Sequence, residues 1–183
     1  MNAIEQADIR IIFGTDTGNT EDIAGRIASQ LEQYDASVKI TNITDVDSDT
    51  FEQSNLLILG IPTWDFGGIQ ADWEDVEVML KSLELSGKSI ALYGLGDQFG
   101  YGDYFLDAMG WLYGRLKDSQ AKFIGFWPTS GYDFEASEAL LEGGKYFCGL
   151  AIDEDQQFEK TNERVTAWVS QVVEEYKRLV EAA

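Results

Sequence analysis

Seven residues near the N-terminus, Gly14-Thr15-Asp16-Thr17-Gly18-Asn19-Thr20, have the composition of an anion-binding turn. They follow the apolar run Ile9 to Phe13 and precede Ile23, Ile27 and Leu31, which recur at helical spacing. A turn between a strand and a helix exposes the helix's first N–H groups, and the aligned peptide dipoles add about half a positive charge there. Thr15, Thr17 and Thr20 add hydroxyl donors, Asn19 adds an amide, and Gly18 lets the backbone approach a ligand closely. The turn has no Lys or Arg and carries Asp16. That chemistry suits a phosphate that stays bound. A triphosphate that turns over calls for G-x-x-x-x-G-K-[ST], and Asn19 stands where its Lys would follow Gly18. The plain alternative is a strand-to-helix turn rich in capping residues.

Two further loops carry aromatic residues where core packing explains them poorly. The stretch GIPTWDFGG puts Trp64 at the end of an apolar run, and GLGDQFGYGDYF puts Tyr101 on a glycine-punctuated loop. Two aromatics on neighbouring loops could hold a flat ring between them.

The elements that must carry these loops follow from hydrophobic periodicity. Ile9 to Phe13, Leu56 to Ile61, Ile90 to Leu95 and Phe123 to Trp127 are continuous apolar runs, the pattern of parallel strands covered on both faces. Residues 37–43, SVKITNI, alternate like an edge strand. Helical stripes run through Trp73, Val76, Leu80 and Leu83, then Phe105, Ala108, Met109, Leu112 and Leu116. The last stripe is Val165, Trp168, Val169, Val172, Tyr176 and Leu179. This alternation predicts right-handed βαβ crossovers and an α/β doubly wound sheet, with ligands at the carboxyl ends of the strands. Residues 128–145 break the rhythm, lying between apolar runs 123–127 and 146–152 with no room for a crossover helix. They read as an excursion that interrupts one strand.

At 183 residues, 44% hydrophobic and 13% aromatic, the chain suits one globular domain, 1–183. Its net charge of -20 repels nucleic acid and anionic membranes and favours basic protein partners. It has no histidine and one cysteine, Cys148, inside an apolar run. These absences argue against zinc sites, histidine triads and an internal disulfide. No signal-peptide pattern and no long apolar run is present, so the cytoplasm is the expected compartment.

Taken together, the motifs resemble those of the long-chain flavodoxins, bacterial electron-transfer proteins that carry flavin mononucleotide (FMN). The matching stretches are T-x-T-G-x-T at 15–20, GIPTWDFG at 60–67 and GLGDQFGY at 94–101. Others are DAMGWLY at 107–113, GFWPTSGYDFEAS at 125–137 and GLAIDED at 149–155, so nearly the whole chain is covered in order. The resemblance implies a flavodoxin-like three-layer sandwich with a five-stranded parallel sheet, order 2-1-3-4-5, and the insertion at 128–145. It implies that Thr15, Asp16, Thr17, Gly18, Asn19 and Thr20 wrap the phosphate of FMN. Thr63, Trp64, Asp65 and Phe66 would meet the ring, with Trp64 stacking inside. Leu95, Gly96, Asp97 and Tyr101 would form the outer wall, with Asp155 nearby. Position 65 is often Asn, Tyr or Gly in the family and position 95 often Thr or Cys, so Asp65 and Leu95 bear on tuning of the potential.

The implied function is a monomeric low-potential one-electron carrier, not an enzyme. Its partners would be basic redox proteins: an NADPH-dependent flavodoxin reductase, and low-potential acceptors such as radical enzymes, methionine synthase or nitrogenase. Acids near the ring, Asp65, Asp72, Glu74, Asp75, Glu77, Asp97 and Asp103, would form the docking footprint. They would also oppose added negative charge; one acid about 12 Å away at an effective dielectric of about 40 does so by roughly 0.7 kcal/mol, about 30 mV. One alternative is an FMN-dependent NAD(P)H–quinone reductase, which needs an open nicotinamide site over the ring. Another is a phosphoryl-accepting receiver domain, which needs acids where Phe13-Gly14 stand.

Overall fold

The computed structural model describes residues 2–183. A short helix α1 (Ala3–Gln6) leads into β1 (Ile9–Phe13), α2 (Asn19–Glu32), β2 (Val38–Asn42), α3 (Ser48–Gln53) and β3 (Leu56–Trp64). Then come β4 (Gly68–Ile69), α4 (Ala71–Asp75), α5 (Glu77–Ser82), β5 (Ser89–Leu95) and α6 (Asp107–Leu116). The chain finishes with β6 (Lys122–Ile124), β7 (Trp127–Pro128), β8 (Tyr146–Phe147), β9 (Leu150–Ile152) and α7 (Thr161–Glu181).

Strands β2-β1-β3-β5 pair in parallel, and β5 pairs in parallel with both β6 and β9. β6 and β9 are therefore two halves of one fifth strand, which gives the order 2-1-3-4-5 with an excursion inside the last strand. The excursion is wider than its apolar boundaries suggest. Trp127 and Tyr146 do not join the main sheet but pair across β7 and β8 in a separate antiparallel ribbon, Trp127 opposite Phe147. β2 is the outer strand, as its alternation predicts.

Successive residues of each central strand go to opposite layers, as the strand period requires. Ile9, Ile11, Ile58, Tyr93 and Ile152 pack with α2 and α7, while Ile12, Leu57, Leu59, Leu92 and Ala151 pack under α3 to α6. Buried Trp168, Val169 and Val172 of α7 supply the first layer, and Trp73, Met109 and Leu112 the second. Cys148 is buried, and burial pushes its thiol up to about 12.

Three boundaries differ from the periodicity. The stripe from Trp73 to Leu83 is broken at Val76, whose N–H turns back to Trp73 at 3.2 Å, so two short helices replace one. α6 starts at Asp107 because Leu106 is left-handed, with φ 60°. α3 is too short for a stripe and is held by a reciprocal cap between Asp47 and Thr50.

Candidate functional site

The carboxyl ends of β1, β3, β5 and β9 open onto a cleft of about 410 Å³. Thr15, Thr17, Asn19, Thr20, Thr63, Trp64, Asp65, Leu95, Gly96, Asp97, Tyr101 and Asp155 line it. Asp16, Gly18 and Phe66 are set back from it. Pro62, Tyr104 and Glu154 also line the cleft and carry no sequence signal that singles them out.

At one end lies the turn between β1 and α2. Gly18 sits at φ 91°, a conformation a side chain resists, and its N–H is bonded to Thr15 Oγ1 at 2.9 Å. Among the described residues, the other backbone N–H groups from Thr15 to Glu21 have no protein partner. The Thr20 hydroxyl is buried and unpartnered. Its backbone is fixed from below, where fully buried Tyr93 donates to the Thr20 carbonyl at 2.9 Å. Burial pushes that phenol far above its ordinary range. Asp16 turns away and accepts from Gln70 Nε2 at 3.3 Å. A side chain at Gly14 would collide with Gln70 and the Trp73 indole, so only glycine lets the turn leave β1 here.

One wall is the hairpin after β3. Trp64 lies at the strand's end, pairing with Gly68, rather than in a flexible turn. Its indole N–H is buried with no protein partner. Thr63 Oγ1 accepts from Ala108 N–H at 3.0 Å, tying this strand end to the start of α6. The hairpin reverses through Asp65 at φ 45° and Gly67 at φ 83°. Asp65 is thus a non-glycine residue in left-handed backbone beside the ring position.

The opposite wall runs from Leu95 to Tyr104. Asp97 Oδ1 accepts from Phe99 N–H at 3.0 Å, Gly100 N–H at 2.8 Å and Gln156 Nε2 at 3.0 Å. Burial pushes its carboxyl up, but the donors from Gly100, Gln156 and Phe99 outweigh it and hold Asp97 below the ordinary carboxylate value. Beneath it, fully buried Asp153 accepts four bonds: Gln98 N–H at 3.0 Å and Nε2 at 2.8 Å on Oδ2, Asp155 N–H at 3.1 Å and Gln156 N–H at 2.9 Å on Oδ1. Asp155 is raised by burial and by the nearby charges of Asp97 and Asp153. Tyr101 is raised by Asp65, whose carboxylate faces its hydroxyl across the cleft mouth.

The insertion braces this wall. Asp133 N–H donates to Gln98 Oε1 at 2.6 Å, and Glu135 and Ala136 N–H donate to Gly102 O at 2.9 and 3.0 Å. Tyr132 donates to Ala151 O at 2.6 Å and stacks under Arg164, whose guanidinium carbon lies 4.1 Å from the ring centre.

The cleft thus has a turn of unspent donors at one end and aromatic walls beyond it. The flavodoxin family description matches residues 11–168. The chain belongs to the flavodoxin family. It is 44% identical over 165 residues to flavodoxin 2 of Escherichia coli K12, covering 90% of this chain and 94% of that one. It is 47% identical over 169 residues to a flavodoxin of Klebsiella pneumoniae, covering 92% and 94%. Among solved structures, Fusobacterium nucleatum flavodoxin bound to flavin mononucleotide superposes with a TM-score of 0.83 at 32% identity, over 91% of this chain and 97% of that one.

The residues present fit that cofactor's parts. A phosphate would satisfy the Thr20 hydroxyl and the free N–H groups of the turn, and a flat ring would fill the slot between Trp64 and Tyr101. Among the described residues, no cluster of His, Cys, Asp or Glu could hold a metal ion, and no helix is long and apolar enough to cross a membrane.

Proposed function

We infer that this flavodoxin holds FMN non-covalently in the cleft and carries electrons singly between redox enzymes. FMN, when bound, supplies a ring that takes up and gives back electrons. The rest is the work of the chain. Thr15, Thr17, Asn19 and Thr20, with the N–H groups of the turn, hold the phosphate without a cation. Asp16 and Gly18 shape that turn from behind. Trp64 and Tyr101 exclude water from the ring faces, with Thr63, Leu95 and Gly96 closing the slot between them. Phe66 buttresses Tyr101 from outside, ring centres 5.9 Å apart. Asp65, Asp97 and Asp155 line the cleft without a balancing base, so each opposes the negative charge that reduction brings.

The observation that carries this reading is the orphaned Thr20 hydroxyl, buried beside free N–H groups in a cleft walled by aromatic residues. The test is direct. Purified protein should be yellow, keep its flavin absorption bands through dialysis, and hold one FMN per chain. Riboflavin, lacking the phosphate, should bind far more weakly. A colourless chain that takes up neither would end the proposal.

The same reading assigns basic redox proteins as partners, an NADPH-dependent reductase as donor and low-potential enzymes as acceptors. The net charge of -20 and the acids around the cleft support it. Electron transfer with a basic partner should slow as salt rises; a flat rate would overturn this part alone.

A further inference from the structure

A second concavity of about 300 Å³ adjoins the cleft on the outer side of the Tyr101 wall. It shares Tyr101 and Tyr104 with the cleft and adds Phe66, Phe99, Asp103, Asp133 and Glu135. Phe66 and Phe99 are 77% and 60% exposed, which is unusual for rings that the core could have used. Phe66 stands edge-on to both tyrosines, with ring centres 5.9 Å from Tyr101 and 5.7 Å from Tyr104. At the low end of ligand-pocket sizes, the groove suits an inserted side chain better than a second cofactor.

Its rim is acidic and uncompensated. Among the described residues, the carboxylates of Asp103, Asp133 and Glu135 make no ion pair and accept no hydrogen bond from the protein. Neither segment that builds the groove, 89–114 or 123–144, contains a Lys or Arg. Glu77, by contrast, is spent on Lys81 at 3.0 Å and Arg115 at 2.7 Å. Free charge for a basic partner therefore stands on the insertion side as well as at Glu74 and Asp75 of α4, and the insertion side sets it beside the exposed rings of Phe66 and Phe99. The floor is also preorganised, because the bonds from Asp133, Glu135 and Ala136 to Gln98 and Gly102 fix the loop before anything binds.

We propose that this groove is the anchoring pocket for an arginine-bearing segment of a basic redox partner. A planar guanidinium can stack against the exposed aromatic rings while its N–H groups fork onto Glu135, Asp133 or Asp103. Lysine gains less from such a site, having neither plane nor fork. The insertion then has a function: it supplies two of the three acids and the brace. The proposal rests on the electron-carrier reading with basic partners.

The test uses FMN-loaded protein and cytochrome c, a basic haem protein, as the probe acceptor. Stopped-flow rates at low salt are compared for the parent, Glu135→Lys, Phe99→Ala and Glu32→Lys, the last at the far end of α2 from the cleft. Glu135→Lys should slow the second-order rate on the order of fivefold and Phe99→Ala about twofold, with Glu32→Lys nearly unchanged. Amide NMR shifts on adding redox-inert zinc-substituted cytochrome c should centre on residues 98–104 and 133–136. Free arginine should compete with that probe more strongly than free lysine at equal ionic strength. Equal slowing by Glu135→Lys and Glu32→Lys, or shifts centred on α4 and α5 instead, would overturn the groove while leaving basic partners intact. A parent rate that is flat with salt would overturn both, and FMN retention through dialysis would still leave the carrier standing.

Discussion

The turn from Thr15 to Thr20 and the loop from Asp97 to Tyr104 line one cleft, but they spend their hydrogen bonds differently. In the turn, Thr15 Oγ1 takes one N–H and the remaining donors point to no protein atom. In and beneath the loop, the inner acceptors are consumed: Asp97 Oδ1 takes three donors, Asp153 four, and Gln98 bridges Asp153 to the insertion, while the exposed carboxylate of Asp103 stays free. A site that binds a charged group keeps its donors unspent and leans on a helix end for rigidity. A wall that shapes a slot can spend its inner groups on itself. The turn is therefore built for affinity and the loop for form.

The strongest way to break this comparison is to cut the loop's hub. Asp153→Ala removes a fully buried carboxylate and strands four donors around it. The expected loss is roughly 3 kcal/mol or more of stability, read from the urea midpoint of FMN-free protein. Thr15→Ala, which removes one half-buried bond, should cost about 1 kcal/mol. If the two losses are equal, the loop is not the more internally committed region.

Thr20→Val sharpens the other side. The hydroxyl has no partner in the protein, so the FMN-free protein should lose nothing and is expected to gain slightly from removal of a buried unsatisfied group. FMN should nonetheless bind more weakly by roughly 1.5–3 kcal/mol, about 10- to 150-fold, because a hydrogen bond to an anion is gone. Riboflavin affinity should not move. Thr17→Val, at an exposed position, should weaken FMN alone in the same way, without the gain in FMN-free stability. Calorimetric titration with both ligands checks it, and equal losses for FMN and riboflavin would mean that the turn acts through folding.

How much of this was legible in the sequence follows the same division. The turn announces itself locally, through residue types in one seven-residue window beside an apolar run, because its chemistry is its own backbone and hydroxyls. Apolar runs likewise give the central strands, since short continuous runs fit parallel strands covered on both faces, but they overrun at Trp127 and Tyr146, which lie in the separate ribbon. The loop's support is not local. Gln98 and Asp153 lie 55 residues apart, and nothing in GLAIDED says which of its acids goes to the interior. Pro62, Tyr104 and Glu154 reach the cleft only because of the sheet register. Strand order came from resemblance, because hydrophobic spacing sets layers and not neighbours. The break at Val76 is set by tertiary packing around buried Trp73, whose indole donates to Gly60 O at 3.0 Å, and no Gly or Pro marks it.

The smallest expected effects concern Asp65, where the two walls meet. Its left-handed backbone, φ 45°, costs a non-glycine residue on the order of 1 kcal/mol. Asp65→Gly should recover part of that, raising the thermal midpoint by a few degrees at most, while Asp65→Val should lower it, because a β-branched residue resists this conformation more strongly. The side chain acts separately from the backbone. The Asp65 carboxylate disfavours a phenolate at Tyr101, so the folded protein holds that proton more tightly than the unfolded chain does. The Tyr101 contribution to stability should therefore stay level below the ordinary tyrosine value and decline as pH rises from there through the raised one. Asp65→Asn keeps the backbone strain, removes the charge, and should bring the Tyr101 titration down, as followed by NMR of its ring. A Tyr101 titration that stays put in Asp65→Asn would show that the two walls do not sense each other across the cleft mouth, and the slot would then be two independent surfaces.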